Sequence, residues 1–262
     1  VLLAALSPAG RSARALAVTP RRVLVTGGNK GIGYALCKQL AADHDCHVLL
    51  GARDRDRGQR AVEMMLQREP KCEGRVELLE LDVSEDASVA FAAEHVKATY
   101  GDSPAPLYAV VNNAGLGFRH SMATTLGVNI LGAKRVCDAF LPLLCSETGR
   151  IVNTASASGP MFVARCSGKE RQVLTNPAVS WEEIDDLMQE VLSKPGGREA
   201  YGFSKACVNA YTMFLAREHP NLAINSMTPG FIDTDITAGM GATKPPDEGT
   251  KAALHCLFSE LE

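Results

Sequence analysis

Short apolar runs alternate with longer segments of helical periodicity along this chain. The apolar runs predict buried strands at residues 22–25, 47–50, 76–81, 108–112, 150–154 and 223–227. The periodic segments predict helices at 34–40, 55–68, 84–100, 124–144, 181–192 and 201–218, with Ser84 as the N-cap of the third. Strands and helices that alternate in this way imply right-handed crossovers. The pattern therefore predicts one α/β domain built on a doubly wound parallel sheet.

A glycine-rich segment follows the first predicted strand and precedes the first predicted helix. It reads T-G-G-N-K-G-I-G over residues 26–33, which differs from the commoner G-x-G-x-x-G spacing. Gly27 permits a sharp turn, Gly31 lets backbone approach a pyrophosphate, and Gly33 lets the helix pack closely on the sheet. Strand, glycine turn and helix together predict a phosphate-binding turn for a dinucleotide.

A tyrosine and a lysine lie four residues apart in the last predicted helix. Tyr201 and Lys205 therefore share one helix face, about 6 Å apart along the axis. A neighbouring ammonium favours the phenolate, so we expect Lys205 to lower the pKa of Tyr201 from its usual value of about 10. Such a phenol can donate a proton near neutral pH. Taken alone, this pair also fits an ordinary half-exposed helix. The glycine turn elsewhere in the chain is what favours a catalytic interpretation of the pair.

Further motifs follow in order, and with them the chain resembles the short-chain dehydrogenase/reductase family from about residue 22 to residue 258. They are L-D-V at 81–83, N-N-A-G at 112–115, V-N-I-L-G at 128–132, I-V-N-T-A-S-A-S-G at 151–159 and P-G-F-I-D-T at 229–234. The resemblance implies a Rossmann-type fold, a nicotinamide cofactor over the carboxyl ends of the strands, and reduction of a carbonyl compound to an alcohol.

The resemblance also implies which residues carry the chemistry. Ser156 would bind the carbonyl oxygen, Tyr201 would donate the proton, and Lys205 would hold the ribose. Asn129 would complete a water-linked proton path behind Lys205, and Ser158 is an alternative to Ser156. The residues expected to contact the cofactor are Gly27, Asn29, Lys30, Gly31, Ile32, Gly33, Arg53, Arg57, Asp82, Val83, Asn113, Ala114, Gly115, Tyr201, Lys205, Pro229, Gly230, Ile232 and Thr234.

Cations near the end of the second predicted strand favour NADPH over NADH. Arg53 follows that strand, Lys30 lies in the glycine turn, and Arg57 is a third candidate. A guanidinium suits the 2′-phosphate of NADP, whereas an NAD site places an acid there to accept from the ribose hydroxyl. Asp54 keeps the NAD alternative open, because a shift of one position would place it there. A solvated charge run that binds nothing is the remaining interpretation.

A long segment separates Ser156 from Tyr201 and contains an amphipathic helix. Its apolar positions are Trp181, Ile184, Leu187, Met188, Val191 and Leu192. An insertion here, at about residues 160–199, resembles the monomeric NADPH-dependent carbonyl reductases of the family, whose extra helix covers the face used by oligomeric members. We therefore expect a monomer in which the inserted helix packs on the helix that begins at Tyr201. A dimer formed through the apolar stripe is the alternative.

Two parts of the chain are shorter than the family pattern. The link from Gly115 to Asn129 lacks most of a helical turn or more, and the chain stops at Glu262, before the usual final strand and substrate loop. Either these are true deletions or the sequence lacks residues of the natural chain. We favour missing residues, because so short a link would strain the position of Asn129.

Composition narrows the class of protein further. The chain has 262 residues and a net charge of −3, so no basic field indicates nucleic acid as a partner. No apolar run reaches the roughly 18 residues of a membrane span. The eight cysteines and six histidines show no metal-ligand spacing, and scattered thiols fit a reducing compartment. We take the cytoplasm as the default location. The alternative is a mitochondrion or plastid, because residues 1–21 contain no Asp or Glu, which suits the remnant of a transit peptide.

The predicted function is NADPH-dependent reduction of ketones, aldehydes or quinones, with a small carbonyl compound as the only partner. A secondary-alcohol, steroid or specialised-metabolite dehydrogenase with a narrow substrate range is one alternative. An NADP-binding sensor without catalysis is another. The presence of Ser156, Tyr201 and Lys205 together argues against a sensor, which needs none of them.

Overall fold

Six parallel strands form one sheet in the computed structural model, which describes residues 21–194 and 199–259. The strands are β1 (Arg22–Thr26), β2 (His47–Ala52), β3 (Val76–Glu80), β4 (Ala109–Asn112), β5 (Arg150–Thr154) and β6 (Ala223–Met227). Their order, β3-β2-β1-β4-β5-β6, confirms the predicted doubly wound sheet. Strands β2 and β3 lie on one side of β1, and strands β4, β5 and β6 lie on the other side. Because the strand order reverses between β1 and β4, a ligand crevice is expected at the carboxyl ends of these two strands. The predicted extension, residues 1–21, lies outside the described residues except for Arg21.

Ten α-helices connect and cover the strands in the described part of the chain. They are α1 (Gly31–Asp43), α2 (Arg55–Arg68), α3 (Asp86–Tyr100), α4 (Met122–Asn129), α5 (Leu131–Phe140), α6 (Ser158–Arg165), α7 (Gly168–Thr175), α8 (Trp181–Ser193), α9 (Ala200–Glu218) and α10 (Lys251–Phe258). Among the described helices, none is long and apolar enough to span a bilayer.

The sheet separates two apolar layers, and neighbouring residues of one strand face opposite layers. Leu24 of β1 packs in the layer that contains α3, α5 and α9. Val23 and Val25 pack in the layer that contains α1, α2 and α10. Because helices cover both faces, the central strands β1, β2 and β4 are largely apolar, which is why continuous apolar runs predicted them. The edge strands β3 and β6 also carry exposed polar residues, Glu80 and Ser226.

Two predictions of local structure were wrong. The predicted helix 124–144 is divided into α4, α5 and a 3₁₀ turn, with Ile130 in a distorted helical conformation between α4 and α5. Ser84 does not cap α3, because its hydroxyl donates to Asp82 Oδ1 at 2.6 Å and Glu85 occupies the N-cap position. The boundary at Ser84 was therefore decided by a local contact with Asp82.

The inserted helix α8 packs back on α9, which is the arrangement expected for it. Its buried side chains include Ile184, Leu187, Met188 and Val191. The Trp181 ring meets Tyr211 of α9 edge to face, with centroids 5.6 Å apart. Leu192 is the exception in the predicted stripe, because it is 41% exposed.

Candidate active site

The glycine turn is built as a close-packed bend at the end of β1. Gly27 and Gly31 have φ angles of 64° and 56°, a region in which side chains other than glycine are strained. The Thr26 hydroxyl accepts from the backbone N–H groups of Asn113 and Ala114, both at 3.0 Å. The Asn113 amide donates to the Thr26 carbonyl at 2.9 Å. These contacts tie the turn to the end of β4, at the crevice that the strand order creates.

The first turn of α1 offers unpaired donors beside this bend. Lys30 is the N-cap residue and makes no side-chain capping bond, and the first turn holds no acidic residue. The backbone N–H groups of a helix start carry a partial positive charge and suit a phosphate. A cavity of about 450 Å³ opens in front of them, lined by residues from the carboxyl ends of β1, β2, β3 and β4. The cavity and its glycine walls fit a dinucleotide.

Charged side chains surround the part of the cavity next to β2. Asp54 caps α2 by accepting from the backbone N–H of Arg57 at 2.9 Å, and its other oxygen pairs with the Arg57 guanidinium at 3.4 Å. Lys30 pairs with Asp235, which lies across the cavity. Arg53 is exposed, lines the cavity, and makes no ion pair with any described residue. Its guanidinium is therefore the cation best placed for a phosphate, and Asp54 is already engaged as a cap.

Lys205 is buried beside the carboxyl end of β5. It is 4% exposed, and its Nζ donates to the Thr154 carbonyl at 2.6 Å. Burial lowers the pKa of Lys205 to about 8. The same Nζ lies 5.8 Å from the centroid of the Tyr201 ring. Lys205 is therefore near the phenol, although its hydrogen bond is directed at the sheet.

Tyr201 and Ser156 meet at the start of α9. The Ser156 hydroxyl lies near the phenol and accepts from the backbone N–H of Ser158 at 3.2 Å. Burial raises the pKa of Tyr201, and the nearby Ser156 hydroxyl opposes that rise. The expected lowering of this pKa was wrong for the structure described, because burial raises the pKa of the phenol and the Lys205 ammonium donates to the Thr154 carbonyl instead. A raised pKa keeps the phenol protonated, which is the form that donates a proton.

Asn129 joins this group from the end of α4. Its Oδ1 accepts from the Leu116 N–H at 2.7 Å, and its Nδ2 donates to the Leu116 carbonyl at 3.0 Å and to Ser204 Oγ at 2.9 Å. A Cβ placed on Gly115 would lie 3.4 Å from Asn129 Oδ1 and 3.7 Å from Lys205 Nζ. The short link thus still brings Asn129 to the site, and the strain expected at Asn129 is not seen in its hydrogen bonds. Within the link, Arg119 has a φ angle of 76°, in the left-handed region.

The chain matches a family profile described as short chain dehydrogenase over residues 21–168. It belongs to the short-chain dehydrogenase family. Among curated relatives, the (+)-neomenthol dehydrogenase of Arabidopsis thaliana is 32% identical over 93% of this chain and 94% of its own. Carbonyl reductase [NADPH] 1 of Homo sapiens is 31% identical over 88% of each chain.

Solved structures agree with this assignment. Salutaridine reductase from Papaver somniferum superposes with a TM-score of 0.81 at 27% identity, over 92% of this chain and 96% of that one. Menthone neomenthol reductase from Mentha piperita gives a TM-score of 0.74 at 28% identity over the same shares, 92% and 96%. The family resemblance inferred from the motifs is confirmed.

Most of the cofactor contacts predicted for this short-chain dehydrogenase line the cavity. They are Gly27, Asn29, Lys30, Gly31, Ile32, Gly33, Arg53, Arg57, Asp82, Val83, Asn113, Ala114, Gly115 and Thr234. Pro229, Gly230 and Ile232 do not line it, and neither do Tyr201 and Lys205. Ile232 is 3% exposed and lies against Gly249, so its side chain belongs to the core.

Sequence reasoning missed several residues of the short-chain dehydrogenase site. Leu116, Val128, Asp235 and Ile236 line the cavity, and all four lie next to motifs that were recognised. Phe118 packs on Tyr201 with ring centroids 4.7 Å apart and remains 38% exposed. An aromatic residue shortly after N-N-A-G was the available signal, but nothing local indicated which way its ring would face.

Proposed function

We propose that this short-chain dehydrogenase is an NADPH-dependent reductase that converts carbonyl compounds to alcohols. The observation that carries the proposal is the meeting of Ser156, Tyr201 and Lys205 beside a glycine-walled cavity with Arg53 at its rim. Relatives named carbonyl reductase [NADPH] 1 and (+)-neomenthol dehydrogenase support the same chemistry. When bound, the nicotinamide supplies the hydride.

The protein's own contribution is to hold the carbonyl oxygen and deliver a proton to it. The Ser156 hydroxyl and the Tyr201 phenol lie near each other, so an oxygen placed between them would meet two donors. Tyr201 is protonated at neutral pH and acts as the general acid. Lys205 lies near the phenol, and its pKa of about 8 lets it exchange protons near neutral pH, so it would help to return a proton to Tyr201. Lys205 would also hold the ribose of a bound cofactor, and Asn129 would order water for the proton path behind it.

We propose that the substrates are apolar and bulky on the side of the carbonyl that faces Phe118. The Phe118 ring covers one face of the Tyr201 region while more than a third of it stays exposed. An exposed aromatic ring beside the proton donor favours an apolar ligand. Cyclic ketones and quinones fit this wall better than small polar aldehydes.

We also propose that the protein is a monomer. The packing of α8 against α9 supports this, because it covers the outer face of the helix that carries Tyr201. Arg217 of α9 donates to the carbonyls of Pro177 and Val179 at 3.3 and 3.0 Å, which holds the inserted segment in place.

The test is turnover of a carbonyl panel by the purified chain, followed by the loss of reduced-nicotinamide absorbance. We expect oxidation of NADPH with cyclic ketones or quinones and much slower oxidation of NADH. Tyr201→Phe should lower kcat by about 10²–10⁴ while NADPH binding, measured by fluorescence titration, changes less than about tenfold. The matched control is Tyr34→Phe, because the Tyr34 hydroxyl is buried without a partner among the described residues and lies outside the cavity lining. Turnover in Tyr201→Phe equal to that of the control would overturn the mechanism.

A further inference from the structure

The residue before the catalytic helix is a glutamate whose side chain folds back over the first turn. Glu199 is the N-cap of α9, and its Oε1 accepts from the Gly202 N–H at 2.7 Å. A Cβ on Gly202 would collide with the other carboxylate oxygen, so the glycine leaves the space in which the carboxylate lies. Caps are usually Ser, Thr, Asp or Asn, and the longer glutamate brings a full charge to a turn that also contains Tyr201.

An arginine from the inserted segment holds this carboxylate. Arg165, the last residue of α6, places Nη2 3.5 Å from Glu199 Oε2. Helix α6 begins two residues after Ser156 and packs tightly on α9, where a Cβ on Gly159 would lie 3.0 Å from the Lys205 carbonyl oxygen. The ion pair therefore joins the two elements that carry Ser156 and Tyr201. It also borders a separate cavity of about 290 Å³ between α6, α7 and α9.

We propose that Glu199, held by Arg165, is a positioning residue that keeps the Tyr201 phenol in its proton-carrying form. The inference rests on the proposed function, in which Tyr201 is the proton donor. A negative charge at a helix N-terminus opposes the positive potential of that end, which would otherwise favour the phenolate. The cap thus fixes the first turn and acts electrostatically on the phenol at the same time.

Burial and several nearby groups act together on the pKa of Tyr201. Burial is the largest cause that raises the pKa of Tyr201, the nearby Ser156 hydroxyl lowers it, and the Glu199 carboxylate raises it. Lys205, on the same helix, places Nζ 5.8 Å from the centroid of the Tyr201 ring while it donates to the Thr154 carbonyl, and burial lowers its own pKa to about 8. Arg165 of α6 offsets Glu199, and Glu170 of α7 borders the same cavity. Because Tyr201 and Lys205 are close, a measured apparent pKa belongs to the pair.

Loss of the Glu199 charge is expected to move the pH at which activity is lost. Removing the Glu199 charge makes a proton harder to hold on Tyr201, so the pKa of Tyr201 falls. Reduction needs the protonated phenol and is lost as pH rises through the apparent pKa. Glu199→Gln, which keeps an oxygen for the cap, should therefore lose activity at a pH about 0.2–0.7 units lower than the wild type. Arg165→Met should shift the loss to higher pH, because the carboxylate is then no longer offset.

The experiment measures kcat/KM for NADPH-dependent reduction against pH in the wild type, Glu199→Gln and Arg165→Met, with Glu182→Gln as the control. Glu182 is an exposed carboxylate of α8, and its loss should leave the profile unchanged. Thermal midpoints are recorded for all four proteins, because a purely structural cap would change stability without moving the profile. Arg165→Met provides an independent test if Glu199→Gln does not fold, since the Arg165 side chain is 65% exposed.

A titration without turnover separates this inference from the proposed function. Tyrosinate absorbance of each protein, minus that of the same protein carrying Tyr201→Phe, reports ionisation of Tyr201 alone. We expect Glu199→Gln to shift this titration to lower pH and Arg165→Met to shift it to higher pH. If the titration shifts but the wild type reduces no carbonyl compound, the proposed function fails and the link between Glu199 and Tyr201 stands. Unmoved titrations in folded variants of both residues overturn the inference.

Discussion

A methyl group at Gly33 tests whether close packing at the glycine turn is required for cofactor binding. Gly33 lies in the first turn of α1, directly over the turn. A Cβ added there would lie 2.5 Å from Asn113 Nδ2 and 3.0 Å from the Gly27 carbonyl carbon, and still closer to the Gly27 carbonyl oxygen. Asn113 Nδ2 donates to the Thr26 and Gly27 carbonyls at 2.9 and 3.2 Å, so the methyl would also disturb the bonds that tie the turn to β4.

The cost of Gly33→Ala can be worked from these contacts. Overpacking costs about 1–3 kcal/mol, and weakening one of the Asn113 hydrogen bonds adds about 0.5–1.5 kcal/mol. The sum, about 1.5–4.5 kcal/mol, corresponds to a fall in Tm of roughly 3–18 °C for a chain of this size. Because the backbone that must move is the phosphate-binding turn, we expect NADPH affinity to fall by more than about tenfold.

A second glycine in a helix provides the matched control. Gly127 lies inside α4, and a Cβ there would meet nothing within 4 Å. Gly127→Ala should therefore raise stability by up to about 1 kcal/mol through helix propensity and leave NADPH affinity unchanged. Differential scanning fluorimetry and a fluorescence titration with NADPH measure both quantities. A Gly33→Ala protein with the Tm and affinity of Gly127→Ala would refute the packing argument.

Three further predictions concern cofactor choice and assembly. Arg53→Glu should lower the ratio of kcat/KM with NADPH to kcat/KM with NADH by about 10–100-fold, because a charge-assisted contact is worth about 1.5–3 kcal/mol. The control is Arg60→Glu, at an exposed position of α2, which should leave this ratio unchanged. Asp235→Asn should tighten binding of NADPH more than binding of NADH in parallel titrations, because it frees Lys30 from its ion pair; equal changes for both cofactors would contradict a phosphate contact by Lys30. Light scattering should give a mass near 27.9 kDa for the wild type, and a mass near twice 27.9 kDa would contradict the monomer. Leu187→Asp, on the buried face of α8, should cause the chains to associate.

The parts of the fold that rest on local physics were predictable. The central strands are buried on both faces, so a short apolar run was enough to identify them, as at Val23–Val25. The glycine turn was predictable for a similar reason, because the positive φ angles of Gly27 and Gly31 are backbone requirements that glycine itself meets. The order of the motifs then indicated the family, and the family indicated Ser156, Tyr201 and Lys205.

Features that depend on contacts between distant residues were not predictable. The break between α4 and α5 accompanies bonds from Asn129 to Leu116 and Ser204, and Ser204 is far away in the chain. The raised pKa of Tyr201 is mainly an effect of burial, which no pair of residues in one helix reveals.

Residue type and spacing alone were enough to identify the backbone positions that bend, the runs that are buried and the side chains proposed to carry the chemistry. How those side chains are held depends on the packing of elements that are distant in the chain. The bond from Lys205 to the Thr154 carbonyl depends on how α9 packs on β5, and the pairing of Glu199 with Arg165 depends on how α9 packs on α6. Electrostatic effects depend on distance and burial in space, and chain order alone specifies neither.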